Sequence, residues 1–372
     1  MSTTQVELQN IELMSEEELE LRIKIASFVN EENAYKKFDE QVQKRVLGQK
    51  NLSEITYNVF MWLRGLAENR SIRNNAMIAA PSGCGKTETY RVIKEILGRE
   101  ISDIPVVQLD VTKLTSEGYK GMDSKDFFID LFTDSINGIA IVVLDETDKR
   151  LLPDHNANGD NINASIQAQL LTLIEGTEFS REIDDKLVTI NTSNTLFIAA
   201  GAFQPIRDKR KKERECNRKV VAPIGFHMNV SQGCEDETQE DDDISIADII
   251  EYGATYEFVG RFSTVINLHM LDFESVKIII GRYAAEFSKT MKCKICISEN
   301  LAKEMYEKYL TNGLGCRILK NLLWNRISPI GMELERNNYV NKGHEITIIC
   351  DTREDMYTIN KKVYKVKKEN VA

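Results

Sequence analysis

No stretch of this 372-residue sequence is apolar for long enough to span a bilayer. Its first twenty residues, MSTTQVELQNIELMSEEELE, carry neither a basic start nor the apolar segment of a secretory signal. The expectation is a cytoplasmic protein with no membrane partner. Excess positive charge is also missing. A formal net charge of −10 argues against a broad nucleic-acid surface, although it leaves room for a local basic channel. Seven cysteines, an odd number in a long chain, do not form a disulfide framework. The close pair Cys293 and Cys296 in KCKIC lacks the second pair or nearby histidine that a structural zinc requires, so both read as reduced thiols, buried or at an edge. His155, His227, His269 and His344 are scattered and sit in no ligand or nucleophile motif, which leaves metal-site and triad chemistry without support. No internal repeat is present.

What remains is an ordinary globular composition, 42% hydrophobic and 28% charged, with length for two or three domains. Residues 1–41 read as a charged helical extension, either a tether or a docking element, with Ser15 and Glu18 spaced as a capping box. From Gly48 a helix carries Ile55, Val59, Met61 and Trp62. NNAMIAA (74–80), IPVVQLD (104–110), GIAIVVLDE (138–146), NTLFIAAGAF (194–203) and STVINLH (263–269) then read as strands alternating with helices. Their nearly continuous apolar character predicts a parallel sheet covered on both faces, an α/β domain over 42–271. Residues 272–372 read as a smaller, mostly helical domain with one strand in HEITIIC. The basic block RDKRKKERECNRK (207–219) and the acidic block CEDETQEDDD (234–243) read as a solvated, mobile insertion.

The segment APSGCGKTE (80–88) joins an expected strand to an expected helix, the context of a phosphate-binding loop. Gly83 and Gly85 let the backbone of Pro81, Ser82 and Cys84 curl so that N–H groups face a phosphate chain at a helix N-terminus. Lys86 places a cation on the terminal phosphates, the Thr87 hydroxyl suits Mg²⁺, and Glu88 completes the motif. Ala80 stands where the usual pattern has its first glycine. In IVVLDE, an apolar strand ends in Asp145, which would reach the Mg²⁺ shell, and Glu146, which would polarise an attacking water. The pattern specifies ATP and Mg²⁺ as ligands and hydrolysis as the reaction. Arg261 and Arg317 are candidates for stabilising charge on a transferring phosphoryl group, because an arginine from a neighbouring subunit or domain does so in other phosphoryl-transfer sites.

A further stretch, TSEGYKGMD (115–123), puts Tyr119 and Lys120 between Gly118 and Gly121, an aromatic and a cation in a loop. Together with DVTKLTSEGYKG, VVLDETDK, QLLTLIEGT, LFIAAGAF, IGF, EFVGR and GCRIL, in this order, it resembles the AAA+ ATPases, and among them the protein unfoldases of the ClpX/HslU type. The resemblance covers residues 42–350. It implies an AAA+ P-loop domain followed by a smaller helical one, a hexameric homo-oligomeric ring, and ATP hydrolysis coupled to unfolding and threading of polypeptides. RVLGQ resembles the adenine-contacting stretch, which carries Val46 and Leu47 into the nucleotide site. Arg261 becomes a trans-acting arginine finger and Arg317 a second sensor. Tyr119 becomes the pore residue that grips substrate; Lys120 stands where the family loop has an apolar residue, and its cation is expected to bias the loop toward acidic or polar segments. Ile224, Gly225 and Phe226 become a docking tripeptide for a ClpP-like peptidase.

The sequence departs from that family in four places. The cysteine-rich zinc domain at the N-terminus is replaced by residues 1–41, and KRLLPDHNANGDNINASIQ differs from the second pore loop. The basic loop of the ring entrance is not recognisable in EFSREIDDKLVTIN, and FIAAGAF offers no polar side chain as a first sensor. Two other functions stay open: a protease-independent remodeller of protein or protein–DNA complexes, and a nucleic-acid motor or clamp-loader-type ATPase. A non-cycling, ATP-bound scaffold is opposed by Glu146 and Arg261.

Overall fold

Alternate residues of each central strand enter two different cores. Ile78, Ile141, Val143, Ile198 and Ile266 join one, while Met77, Val142, Leu144, Phe197 and Ala199 join the other. That is the physical reason these segments lack polar alternation, since a strand covered on both faces has no solvent side. The computed structural model describes residues 14–70, 72, 74–102, 104–114, 135–156, 158–183, 186–220, 243–312, 315–340 and 344–365. The chain divides into two units, Met1–Ala80 with Lys86–His269, and Pro81–Gly85 with Met270–Ala372.

The first unit opens with helices α1 (Glu16–Val29), α2 (Ala34–Gln43) and α3 (Leu52–Ala67). Strand β1 (Ala76–Ala79), helix α4 (Lys86–Glu100), β2 (Val106–Asp110) and β3 (Ile141–Asp145) follow. Next come α5 (Ile162–Ile174), a hairpin of β4 (Glu178–Ile183) and β5 (Lys186–Asn191), and β6 (Leu196–Gly201). Helices α6 (Gln204–Val220), α7 (Ile246–Tyr252) and the short α8 (Tyr256–Val259) precede β7 (Thr264–Asn267). The five-stranded sheet is parallel, in the order β2-β3-β6-β1-β7. All its strands therefore end at one edge, the usual place for a ligand in such sheets.

Helices α1 and α2 do not form a tether. Leu21, Ile25, Phe28, Phe38 and Val42 are buried in the same core as β1 and α4. Ser15 caps α1 as its spacing predicts, accepting from the Glu18 amide at 3.1 Å. The Glu18 carboxylate accepts instead from Arg22 Nε at 2.8 Å and from Asn137 Nδ2 at 2.8 Å. Arg22 also donates to the Leu66 carbonyl at 2.7 Å, so a buried ion pair locks α1 to α3 and to the turn before β3. The basic block likewise differs from expectation. Its described part is helix α6, and Arg210 anchors it by donating to Asp248 at 2.7 Å and to the Asp243 carbonyl at 2.7 Å. The described part of the basic block is therefore an anchored helix and not a mobile insertion, while the acidic block, Asp243 apart, lies outside the described residues.

In the second unit, α9 (Phe273–Met291) leads to β8 (Lys294–Ile297), α10 (Glu299–Asn312) and α11 (Cys316–Arg336). Strands β9 (Ile346–Cys350), β10 (Met356–Ile359) and β11 (Lys362–Lys365) close it. The one strand expected in this region is thus joined by three more, in the order β11-β10-β9-β8. Cys293 and Cys350 are buried in the core of this unit, and burial pushes their thiols up to about 11 and about 12. Such thiols are inert rather than thiolate-like. Among the described residues, no helix is long and apolar enough to cross a membrane.

Candidate nucleotide site

Parallel register places Asp145 at the carboxyl end of β3, opposite Asp110 of β2. β1 ends at the same edge and runs through residues 80–85 into α4, which opens with Lys86 and Thr87. Lys86 Nζ donates to the Ala80 carbonyl at 3.1 Å, holding its cation over the strand exit. Thr87 is exposed. Glu88 is drawn sideways, accepting from Arg91 Nε at 2.9 Å.

Asp145 accepts from Gln108 Nε2 at 2.5 Å through one oxygen and from the Glu146 amide at 3.0 Å through the other. Glu146 follows with φ of 57°, a left-handed conformation that costs a non-glycine residue about 1 kcal/mol. Strain of this kind concentrates at functional positions. One helical turn after Lys86, Tyr90 is buried and its hydroxyl has no hydrogen-bond partner among the described residues. Burial first, and then the charge of Asp145, raises its pKa. An unpartnered buried hydroxyl is rare in folded proteins and singles out this end of α4. The oxygen donors Thr87 and Asp145 are of the type that hard cations such as Mg²⁺ prefer.

A third carboxylate stabilises the neighbouring strand end. Asp148 is fully buried, and its Oδ2 accepts from the Phe203 amide at 3.1 Å, where Phe203 has φ of 50°. Its Oδ1 lies where any side chain at Gly201 would intrude, 2.9 Å from an added Cβ. The end of β6 lacks a polar side chain of its own, and the polar group there comes from Asp148. Neither Gln108 nor Asp148 stands out in sequence. Both act through tertiary neighbours, and the one legible signal is Asp148 in the run DETDK.

The stretch Arg45–Gln49 is pinned by Gln49, whose Nε2 donates to the His269 carbonyl at 2.7 Å and whose Oε1 accepts the His269 amide at 3.0 Å. Val46 is buried and Leu47 half-buried beside this staple. Arg261 is exposed at the end of α8, where it forms an ion pair with Glu175.

Within the second unit, loop 81–85 meets the start of α11. Gly83 and Gly85 have φ of 74° and 98°, the backbone twist that turns amides to one side. An added Cβ on Gly83 would fall 2.5 Å from Gly315 Cα, and one on Gly315 would fall 2.2 Å from the Ser82 carbonyl oxygen. Cys316 N donates to the Gly83 carbonyl at 3.3 Å. Only glycine fits either position. Cys84 is buried with its Sγ 3.7 Å from Met270 Sδ, a packed thiol rather than an exposed one. Arg317, next after Cys316, is exposed. Residues 118–121 and 224–226 lie outside the described residues.

A family model for the AAA domain (Cdc48 subfamily) matches residues 73–265, more than half of the chain. The chain is 30% identical over 275 residues to the ATP-dependent Clp protease ATP-binding subunit ClpX of Azotobacter vinelandii, an alignment covering 66% of this chain and 59% of that relative. The chain thus spans under two thirds of the length of that relative. The sheet order, the strand-end acids and these matches converge: the chain belongs to the AAA domain family and is similar to ClpX over two thirds of its length.

Proposed function

We propose that this chain is an ATP-driven protein unfoldase or translocase that threads polypeptides through a ring of its own copies. The observation that carries the ATP half is the sheet edge, where Lys86 and Thr87 open α4 and Asp145 ends β3 with Glu146 directly after it. In this reading the amides of residues 81–85 and Lys86 hold the phosphate chain, and Val46 and Leu47 flank the base. Thr87 and Asp145 supply the oxygens for Mg²⁺, which when bound neutralises charge on the β- and γ-phosphates. Glu146 orients a water and takes its proton. Arg261 approaches the γ-phosphate of a neighbouring copy after leaving Glu175, and Arg317 is the candidate second sensor.

The polypeptide half is supported by the similarity to a protein named as the ATP-binding subunit of a Clp protease, and by the GYKG segment. Tyr119 suits gripping because a broad amphipathic ring makes dispersion contacts with nearly any side chain. Lys120 would favour acidic segments. Ile224, Gly225 and Phe226 would dock a ClpP-like peptidase. A remodelling role without a peptidase keeps every element but the last, and peptidase binding separates the two.

The test is steady-state ATP turnover by the full chain, alone, with a permanently unfolded polypeptide, and with single- or double-stranded DNA. Stimulation by polypeptide is expected. Stimulation by DNA alone would assign the chain to the nucleic-acid motors instead.

A further inference from the structure

We propose that Arg150 is a positioning residue that couples the acidic pair at the end of β3 to the exit of β2, the segment that runs into Tyr119. The proposal deepens the polypeptide-threading reading and rests on it for its consequence in substrate handling.

Arg150 ends a 3₁₀ turn, Thr147–Arg150, whose N-cap is the left-handed Glu146. The Lys149 amide donates to the Glu146 carbonyl at 3.0 Å, and the Thr147 hydroxyl donates to the Leu144 carbonyl at 2.7 Å. The turn is thus a short rigid extension of the strand that carries Asp145 and Glu146. A shift of Glu146 on gaining or losing a γ-phosphate carries Arg150 with it.

The guanidinium spans the gap to β2. Its Nε donates to the Val111 carbonyl at 3.2 Å, and its Nη2 donates to the carbonyls of Thr112 and Leu114, the latter at 2.9 Å. Nη1 donates to Asn163 Oδ1 on α5 at 3.2 Å. Three carbonyls of a four-residue segment therefore hang on one side chain. Leu114 is the last residue before TSEGYKG. Asp110, at the start of that segment, accepts from the Thr112 hydroxyl and amide, so the junction itself is ordered. Only a planar fork with five donors reaches acceptors spread this way; an ammonium is a single point.

The Arg150 backbone extends the link in another direction. Its carbonyl accepts from Gln167 Nε2 at 3.1 Å, and Gln167 Oε1 accepts from the Thr255 amide at 2.9 Å. Thr255 caps α8, which ends at Val259, two residues before Arg261. One residue after the acid pair thus touches both the β2 exit and the support of the candidate arginine finger.

The test uses the full chain as wild type, Arg150→Met and Arg150→Lys. Amide hydrogen exchange across residues 106–114 is compared with ADP and with a non-hydrolysable ATP analogue. In parallel, ATP turnover is measured with and without a permanently unfolded polypeptide. The wild type should exchange differently in the two nucleotide states. Arg150→Met should erase that difference and cut polypeptide stimulation by about fivefold or more. Its KM for ATP should stay within about twofold. Arg150→Lys, which keeps the charge, should fold as wild type and show a reduced difference. A nucleotide response absent from the wild type, or intact in Arg150→Lys or Arg150→Met, would overturn the proposal. A response lost in Arg150→Met in a protein that polypeptide never stimulates would sustain the coupling and defeat the threading reading alone.

Discussion

Glu146 combines the two properties the proposed chemistry asks of it, a carboxylate next to Asp145 and a backbone held in a left-handed turn. Replacing it with glutamine removes the proposed base and keeps the shape. Glu146→Gln should lower the turnover number by about 100-fold or more while leaving ATP affinity near wild type, as read by isothermal titration. Gln108→Leu probes the support beneath. It deletes the amide that holds Asp145, and the expected signature is a raised Mg²⁺ requirement in the same turnover assay. Lys86, Thr87, Asp145 and Glu146 were legible because phosphate-loop spacing and an apolar strand ending in acids are local patterns. Gln108, Asp148 and Arg150 were not, since each owes its role to a residue tens of positions away that only the fold brings near.

Elements were read from the sequence according to how they are buried. The five central strands announce themselves by apolar runs, because both faces are covered. Strands β8, β10 and β11 are four residues each, too short for a period to show, and they were absorbed into helical or loop readings. Helices α1 and α2 read as an appendage because their exposed charges outnumber a thin apolar stripe. The structure spends that stripe on the main core and adds a buried pair, Arg22 with Glu18. Arg22→Met should therefore destabilise by about 3 kcal/mol, since it strands a buried carboxylate, and the further change Glu18→Leu should recover much of the loss. Urea denaturation midpoints of the two variants decide this.

Helix α9 supplies a pH test. Its N-cap Asp272 accepts from the Ser275 amide at 2.7 Å, and hydrogen bonds from the Ser275 hydroxyl and amide hold its carboxyl below the ordinary 3.8. A carboxyl depressed in the folded state stabilises above its unfolded pKa, and that contribution is lost as pH falls through the folded value. Asp272→Asn should keep the cap and flatten the acid limb of the stability curve below about pH 4. Asp272→Ala should cost about 1 kcal/mol at neutral pH.

At the scale of the whole molecule, Arg261 has a plain task within one copy, its pairing with Glu175, and a proposed one across copies. Arg261→Ala and Glu146→Gln should each be nearly inactive, the first by about 1,000-fold. Mixed together, they should regain turnover if the finger acts in trans, because some sites then hold a wild-type residue from each copy. A mixture as inactive as its parts would confine Arg261 to its own subunit.

If ATP turnover pulls on polypeptide, the most direct measurement is the loss of native fluorescence from a stable folded reporter carrying an unstructured tail. With ATP and the wild-type chain, fluorescence should fall steadily. With Tyr119→Ala it should fall far more slowly although ATP is still consumed, and with Glu146→Gln it should not fall at all. Native fluorescence that survives undiminished while the wild-type chain hydrolyses ATP would contradict the account.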